Sequence, residues 1–401
     1  MDILLISDDL PTPTNSGNRL VLASEIDALA QKHQLRVVAF HHHGESTAAS
    51  REWMANRNIP AMFIARRSLK TTLLKSPLTP YQSSSRHIPE AALTELAGTA
   101  APQAIIANHE WSISAARQVQ AKFADVSIIL RSHNDERAFM RDVARSAKGV
   151  RGLYSALESA RTSYSFIRRA SASAAEVWAL TEEDSAMYAR LGSKSAVIPP
   201  IAAISGTHTA AATVEKRTPN ASSFGFFGAL DIPHTVSGLL WFIEHVWPTI
   251  RASADGAKFT IAGRRASLSV AQRLGSTPGI NYLGEIESDV EFFSKCRIFV
   301  NPIFGGSGIN MKMLQPASLG IPIVTTSVGR RGLAPLRLDA FDTAASFADA
   351  CVRLSTDASL WNEQSAAVLS GSESFSEDAF MKLTSARLQN ITKETDATDI
   401  R

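Results

Sequence analysis

Short apolar runs alternate along the chain with longer stretches of helical spacing. Ile3 to Ser7 reads as a fully buried strand. Gly17 to Lys32 follows with Leu20, Ala23, Ile26, Ala28 and Leu29 at helical intervals. Leu35 to His41 is the next strand, β-branched at Val37 and Val38. Ala104 to Ala107, Val126 to Leu130, Glu176 to Leu180 and Ala196 to Ile198 continue the series. Near-continuous apolar strands separated by helices predict a parallel sheet covered on both faces.

The pattern then stops. Residues 203–222 are small and polar without a sustained apolar period, and read as a linker. A second series starts at Phe224 and continues at Lys258 to Ala262, Ile280 to Leu283, Arg297 to Val300 and Ile321 to Thr325. The reading is therefore α/β with two Rossmann-like domains, 1–202 and 223–377, facing across a cleft. A closing helix at 378–391 returns toward the N-terminal domain, and 392–401 is a tail. Ligands in such folds sit at the carboxyl ends of strands and at domain interfaces.

Composition narrows the class. The 401 residues are 45% hydrophobic and 20% charged, with 22 Gly and 17 Pro, which excludes collagen-like and disordered chains. A net charge of +3 is too small for a dedicated nucleic-acid binder. Two cysteines, Cys296 and Cys351, cannot make a disulfide framework or a Cys-based zinc site, and read as buried small hydrophobes. The start is acidic at Asp2, Asp8 and Asp9, unlike an export signal, and no run approaches ~18 apolar residues. The expectation is a cytoplasmic protein, or one peripheral at the inner face of a membrane.

The strongest local signal is Asn301-Pro302-Ile303-Phe304-Gly305-Gly306-Ser307-Gly308-Ile309-Asn310-Met311-Lys312-Met313-Leu314-Gln315. It follows a strand and leads into a predicted helix through Leu319, ended by Gly320 and Pro322. Glycines allow close approach of the backbone, and a helix start offers unpaired N–H groups, which together suit a phosphate. The spacing is neither that of a P-loop nor that of a dinucleotide fingerprint.

With its surroundings, this segment closely resembles the GT-B glycosyltransferases of the retaining family-4 type (glycosyl transferases group 1). Phe226-Phe227-Gly228, Ile261-Ala262-Gly263-Arg264, Tyr282-Leu283-Gly284-Glu285, and Ala317 through Thr326 followed by Gly329 carry the likeness in the second half. Ser16-Gly17-Asn18-Arg19, Arg131-Ser132-His133-Asn134-Asp135-Glu136 and Val177-Trp178-Ala179-Leu180-Thr181-Glu182 carry it in the first.

The resemblance implies transfer of a sugar from a nucleotide-diphosphate donor to an acceptor hydroxyl with retention, in glycan or glycoconjugate synthesis. It implies no obligatory metal and no cofactor, since the NDP-sugar is a substrate. The acceptor would be a glycan, a lipid-linked sugar or a small molecule. The donor would be held by Gly17, Gly228, Arg264, Gly305, Gly306, Ser307, Gly308, Ile309, Asn310, Met311, Lys312 and Gln315, with the backbone near Met311 and Lys312 on the diphosphate. Many relatives have glutamates where Ser307 and Gln315 stand here. Many also carry Arg and Lys after the equivalent of Gly228, where this chain has neither between Ala229 and Thr235. Lys312 and Arg264 are the available substitutes.

In the first half the resemblance makes His109 the catalytic candidate, at the end of a strand and near the reacting sugar. His133, Asn134 and Glu136 fall on the acceptor side. His41-His42-His43 point to alternate faces of an extended segment and read as structural. Residues 51–86 carry seven basic residues against Glu52 alone, interleaved with Phe63, Ile64, Leu69, Leu73 and Leu74. Such a stretch suits peripheral contact with an anionic membrane, or a solvated basic face beside the acceptor. Two other readings stay open: a nucleotide-sugar epimerase of the same fold, and a non-catalytic NDP-sugar or glycan-binding partner protein.

Overall fold

A computed structural model describes residues 1–14, 17–76, 78–123, 126–146, 149–202, 222–254, 256–286, 289–306 and 308–398. The chain forms two compact units, Met1–Ile201 with Glu377–Arg401, and Ala202–Ser376. Of the linker read at 203–222, only Ser222 lies within the described residues.

The first unit is built on a seven-stranded parallel sheet. Its strands are β1 Asp2–Ser7, β2 Gln34–His41, β3 Ala61–Ala65, β4 Ala104–Asn108, β5 Ser127–Arg131, β6 Glu176–Ala179 and β7 Ser195–Val197. Their order is β3-β2-β1-β4-β5-β6-β7. Along β1, Leu4 and Ile6 enter one core with Val38 and Ile105, while Ile3 and Leu5 enter another with Val37 and Ile106. Both faces are dry, so the strand has no polar alternation.

β3 falls inside the basic stretch 51–86, where the sequence pattern showed no strand. Val37 to His41 of β2 pair with Ala61 to Ala65, and Ile64 is in the core. The stretch does not form one amphipathic face. Arg57 pairs with Asp27 and stacks on Trp53, Arg51 lies over Phe63, and Arg66 and Arg86 are buried. Two of its seven basic residues, Arg66 and Arg86, are thus spent inside the unit.

The second unit holds a five-stranded parallel sheet of β8 Ser223–Phe227, β9 Lys258–Ala262, β10 Ile280–Gly284, β11 Ile298–Asn301 and β12 Ile323–Thr325, in the order β10-β9-β8-β11-β12. Phe224, Phe226, Val300 and Val324 pack on one face, and Phe299, Ile323, Leu314 and Ala317 on the other. Cys296 and Cys351 are buried and unbridged.

The last helix runs Glu377–Thr398, longer at both ends than the expected 378–391. Phe380, Met381, Leu388 and Ile391 pack into the first unit's core, and Arg387 Nη1 donates to Glu176 Oε1 at 2.7 Å. The segment expected to be a tail from 392 is thus helical to Thr398, and 399–401 lie outside the described residues.

Strand order reverses once in each sheet, between β1 and β4 and between β8 and β11. Neighbouring strand ends part there, opening a crevice at their carboxyl edge. These two places frame the candidate sites.

Candidate functional site

In the second unit the crevice lies beyond Phe227 of β8 and Asn301 of β11. Asn301 is fully buried, and its side chain accepts from Asn310 Nδ2 at 3.0 Å. Thr325 Oγ1 donates to the Asn301 carbonyl at 3.0 Å. Asn310 is therefore a clasp that folds the glycine loop back on β11. The helix Pro233–Trp241 approaches the same point: a Cβ at Gly238 would stand 1.9 Å from the Pro302 carbonyl oxygen, so only glycine fits.

After the loop comes a 3-10 turn, Met311–Met313, and a five-residue helix, Leu314–Ser318, instead of one continuous helix. Pro316 has no N–H to donate to the Lys312 carbonyl, so α-helical bonding starts late. The Met311 N–H, expected on the diphosphate, donates to the Ile309 carbonyl at 3.0 Å. Ile309 and Met311 pack against the core. Gly306 and Gly308 take left-handed backbone, at φ 107° and 74°. Ser307 lies outside the described residues, and Gln315 is half-buried.

Lys312 is the electrostatic centre of this crevice. Its Nζ is 2.9 Å from where a Cβ on Gly228 would sit, and 5.2 Å from the Phe226 ring centroid. Burial of the ammonium lowers its pKa to about 8. Among the described residues it makes no ion pair. Arg264 is half-buried and its guanidinium likewise has no ion pair among the described residues. The neighbouring Arg265 takes Asp231 instead, at 3.2 Å. Two cations thus share the unit with no carboxylate assigned to either, an arrangement that calls for an anionic ligand.

Two residues that the sequence reading did not select stand beside the glycines. His234 Nε2 is 3.3 Å from a Cβ placed on Gly306, and its pKa is lowered by burial and then by Lys312. Arg331 Nη1 donates to the Gly306 carbonyl at 3.2 Å. His234 is the one basic side chain in the stretch from Ala229 to Thr235, which has no Arg or Lys.

In the first unit, Asp8, His109 and His133 follow β1, β4 and β5. Register pairs Ser7 with Asn108 and Asn108 with Arg131, which brings the three loops together. His109 is 4% exposed, with Nδ1 3.0 Å from Glu110 Oε2 and Nε2 3.0 Å from Glu136 Oε1. Its ring stacks on Trp111 at 5.4 Å and lies 5.3 Å from that of His133. Burial alone lowers the His109 pKa, but Glu136, Glu110 and Asp8 outweigh it and raise it well above the ordinary value. His109 is therefore a buried imidazolium. Its φ of 78° is a left-handed conformation costing about 1–3 kcal/mol, held by the surrounding pairs.

The neighbours divide the charge. Glu110 is pushed up by burial but held down by His109, with Tyr188 and Ser132 adding hydrogen bonds, and stays ionised. Glu136 is raised, chiefly by burial. Burial and then His109 drop His133 to about 3, so it is neutral, and its buried Nε2 has no hydrogen-bond partner among the described residues. Asp8, pushed up by burial, is brought below its usual range by His109 and Arg86. Arg86 Nε donates to the Asp8 carbonyl at 3.2 Å, and Arg66 reaches the same oxygen.

The expected site residues therefore separate. Glu136, placed on the acceptor side, is 3% exposed and locked to His109. Both His109 ring nitrogens lie 3.0 Å from a carboxylate oxygen, but Nδ1 has no hydrogen-bond partner among the described residues. Asn134 is half-buried, with a buried Oδ1 that has no partner among the described residues. Gly17 opens the helix Gly17–Lys32 and is exposed. His109, Glu110 and Glu136 offer ligand atoms within 4.8 Å of one another, a spacing that could hold a metal ion.

Residues 221–357 match the family described as glycosyl transferases group 1. The match spans about a third of the chain and marks a similarity to that family within the second unit. The match takes in β8 to β12, the glycine loop, Arg264 and Lys312. A curated relative, an uncharacterised 44.6 kDa protein in the cps region of Klebsiella pneumoniae, is 29% identical over 116 residues. That match covers 27% of this chain and 29% of the relative's length.

Solved structures match nearly throughout. HepE of Anabaena in complex with UDP is 13% identical with a TM-score of 0.66, covering 97% of this chain and 100% of that one. Sucrose-phosphate synthase of Thermosynechococcus elongatus is 12% identical with a TM-score of 0.68, covering 98% and 100%. A TarM variant of S. aureus, in complex with fondaparinux, α-GlcNAc-glycerol and UDP, is 9% identical with a TM-score of 0.65, covering 98% and 100%. The fold is that of the GT-B glycosyltransferases. The matched region thus contains the crevice in which Lys312 and Arg264 stand without carboxylate partners among the described residues.

Proposed function

We propose that the protein is a glycosyltransferase that moves a sugar from a nucleotide-diphosphate donor to an acceptor hydroxyl with retention. One observation carries the reading. A half-buried lysine of lowered pKa, with no ion pair among the described residues, stands at the switch point of the region that matches glycosyl transferases group 1. Similar folds solved with UDP and with UDP-glucose are consistent with it.

The donor diphosphate would lie along the glycine loop, with Lys312 and Arg264 on its charge and His234 beside the glycines. The acceptor oxygen bonds to the anomeric carbon as the bond from that carbon to the diphosphate breaks. A diphosphate oxygen on the same face takes the acceptor's proton. Preorganised cations at the leaving group supply the electrostatic stabilisation. No metal and no cofactor enter this scheme. His109 acts as a positioning residue, a buried cation that fixes Asp8 and the loops after β1 and β4.

Calorimetry with UDP, GDP and ADP, followed by NDP release from the matching NDP-sugars with candidate acceptors, tests the reading. NDP binding with acceptor-dependent release and a retained anomeric proton coupling is expected. Absence of binding by every nucleotide would overturn it. Tight binding with no turnover favours a binding-only partner protein, a reading the uncharged Ser307 and Gln315 also favour. An epimerised NDP-sugar among the products would indicate an epimerase.

A further inference from the structure

The helix Gly149–Arg161 is built inside out. Its inward side is polar: Ser155 and Glu158 are 8% and 2% exposed, and Thr162, just past its end, is 2% exposed. Glu158 accepts from the Tyr81 N–H and from Arg161 Nη1, each at 2.7 Å. Its outward side is apolar: Val150, Leu153, Tyr154 and Leu157 are 88%, 75%, 37% and 48% exposed. Spacing of three, four and seven puts these on a single stripe. Leu78, 87% exposed, lies in the loop tied to Glu158 through Tyr81. Scattered exposed leucines are ordinary, but a contiguous stripe that replaces a helix's polar face is an interaction surface.

Charge around the stripe selects the partner. Residues 136–169 contain eight Arg and Lys against Glu136, Asp142 and Glu158. Glu136 and Glu158 are buried in internal pairs, the latter with Arg161, and Arg137 pairs with Asp135, which leaves six of the eight basic residues. In residues 66–86 no acidic residue stands against the basic ones, of which Arg66 and Arg86 are buried and Lys70 faces outward. Lys70, Arg141, Arg145, Arg168 and Arg169 are exposed. Arg168 and Arg169 line an open pocket of about 520 Å³ together with Tyr164, itself 57% exposed. A second copy of this chain, docking by two-fold symmetry, would bring like charges together. No helix among the described residues is long and apolar enough to cross a membrane.

We propose that the helix Gly149–Arg161 docks the first unit onto an anionic lipid bilayer. Val150, Leu153 and Leu157 enter the headgroup–acyl boundary, and the surrounding arginines meet lipid phosphates. Docking is independent of sugar transfer, so either can fail without the other.

Sedimentation of the full chain with vesicles of phosphatidylcholine, alone or mixed with phosphatidylglycerol, tests this. Binding to the mixed vesicles, weakened by salt, is expected, with little binding to the neutral ones. Leu153→Glu with Leu157→Glu should weaken binding about tenfold or more, leaving thermal melting and nucleotide affinity unchanged. Leu157→Ser gives a milder version should the double variant melt early. Arg141→Glu with Arg145→Glu should weaken binding chiefly at low salt. The proposal fails if the wild type ignores anionic vesicles or if the leucine variants bind them equally. It also fails if light scattering shows a lipid-free dimer that the leucine variants convert to monomer.

Discussion

The ammonium of Lys312 stands 2.9 Å from the point where a side chain on Gly228 would begin. The missing side chain at the end of β8 and the half-buried cation after β11 are two halves of one feature. Gly228→Ala should push Lys312 aside. Since the obstacle is the end of a flexible side chain, melting should change little. Nucleotide affinity should fall several-fold, on the order of 1 kcal/mol. Paired calorimetry and thermal melting check this, and an unchanged affinity would separate the two residues functionally.

Lys312 also sets a pH dependence. Its pKa in the free protein is about 8. An anionic ligand favours the charged form, so binding takes up a proton once the free lysine is partly neutral. Nucleotide affinity at low salt should be flat below pH 7 and fall as pH rises through about 8. Calorimetry in buffers of different ionisation enthalpy reads the proton uptake directly. Lys312→Ala should bind about 10- to 100-fold more weakly, and its profile should lose this step.

His109 makes the opposite signature, in stability. Its folded pKa is raised well above that of the unfolded chain. The resulting stability is fully present below about pH 6.5 and is lost as pH rises through the folded value. His109→Gln removes the imidazolium and leaves buried carboxylates uncompensated, at a cost of about 3–5 kcal/mol at neutral pH. Urea unfolding of both proteins from pH 6 to 10 should show the gap narrowing at the alkaline end. A constant gap would mean that the imidazolium is not the source.

Gly238 tests the clasp on the glycine loop. A Cβ there meets backbone, 1.9 Å from the Pro302 carbonyl oxygen, so the neighbour cannot simply rotate away. Gly238→Ala should cost about 1–3 kcal/mol of stability. It should also weaken nucleotide binding by displacing the loop, which binding at a temperature well below melting would reveal. Stability loss with intact affinity would confine the contact to packing.

Much of this was legible along the chain. The apolar runs of β1, β2, β4, β5, β8 and β11 announce parallel strands because burial on both faces leaves few polar positions within them. Glycines 305, 306 and 308 after β11 mark a close approach, and their family context marks a nucleotide. β3 was hidden because its five residues sit among seven basic ones. Helix continuity past Met311 was overestimated because Pro316 acts only through the bond it cannot make.

The order of residue types by itself determined the α/β class, the two strand series and the glycine loop, since each depends on local periodicity or backbone freedom. Only the tertiary structure decided which charges are spent and which are left. It buried His109 and Glu136 against each other, gave Asp231 to Arg265 in place of Arg264, and left Lys312 without a carboxylate among the described residues. It also turned the polar side of the helix Gly149–Arg161 inward. Composition counts charges without regard to place. Energy depends on the distance between them and on the water removed, and both are properties of the fold.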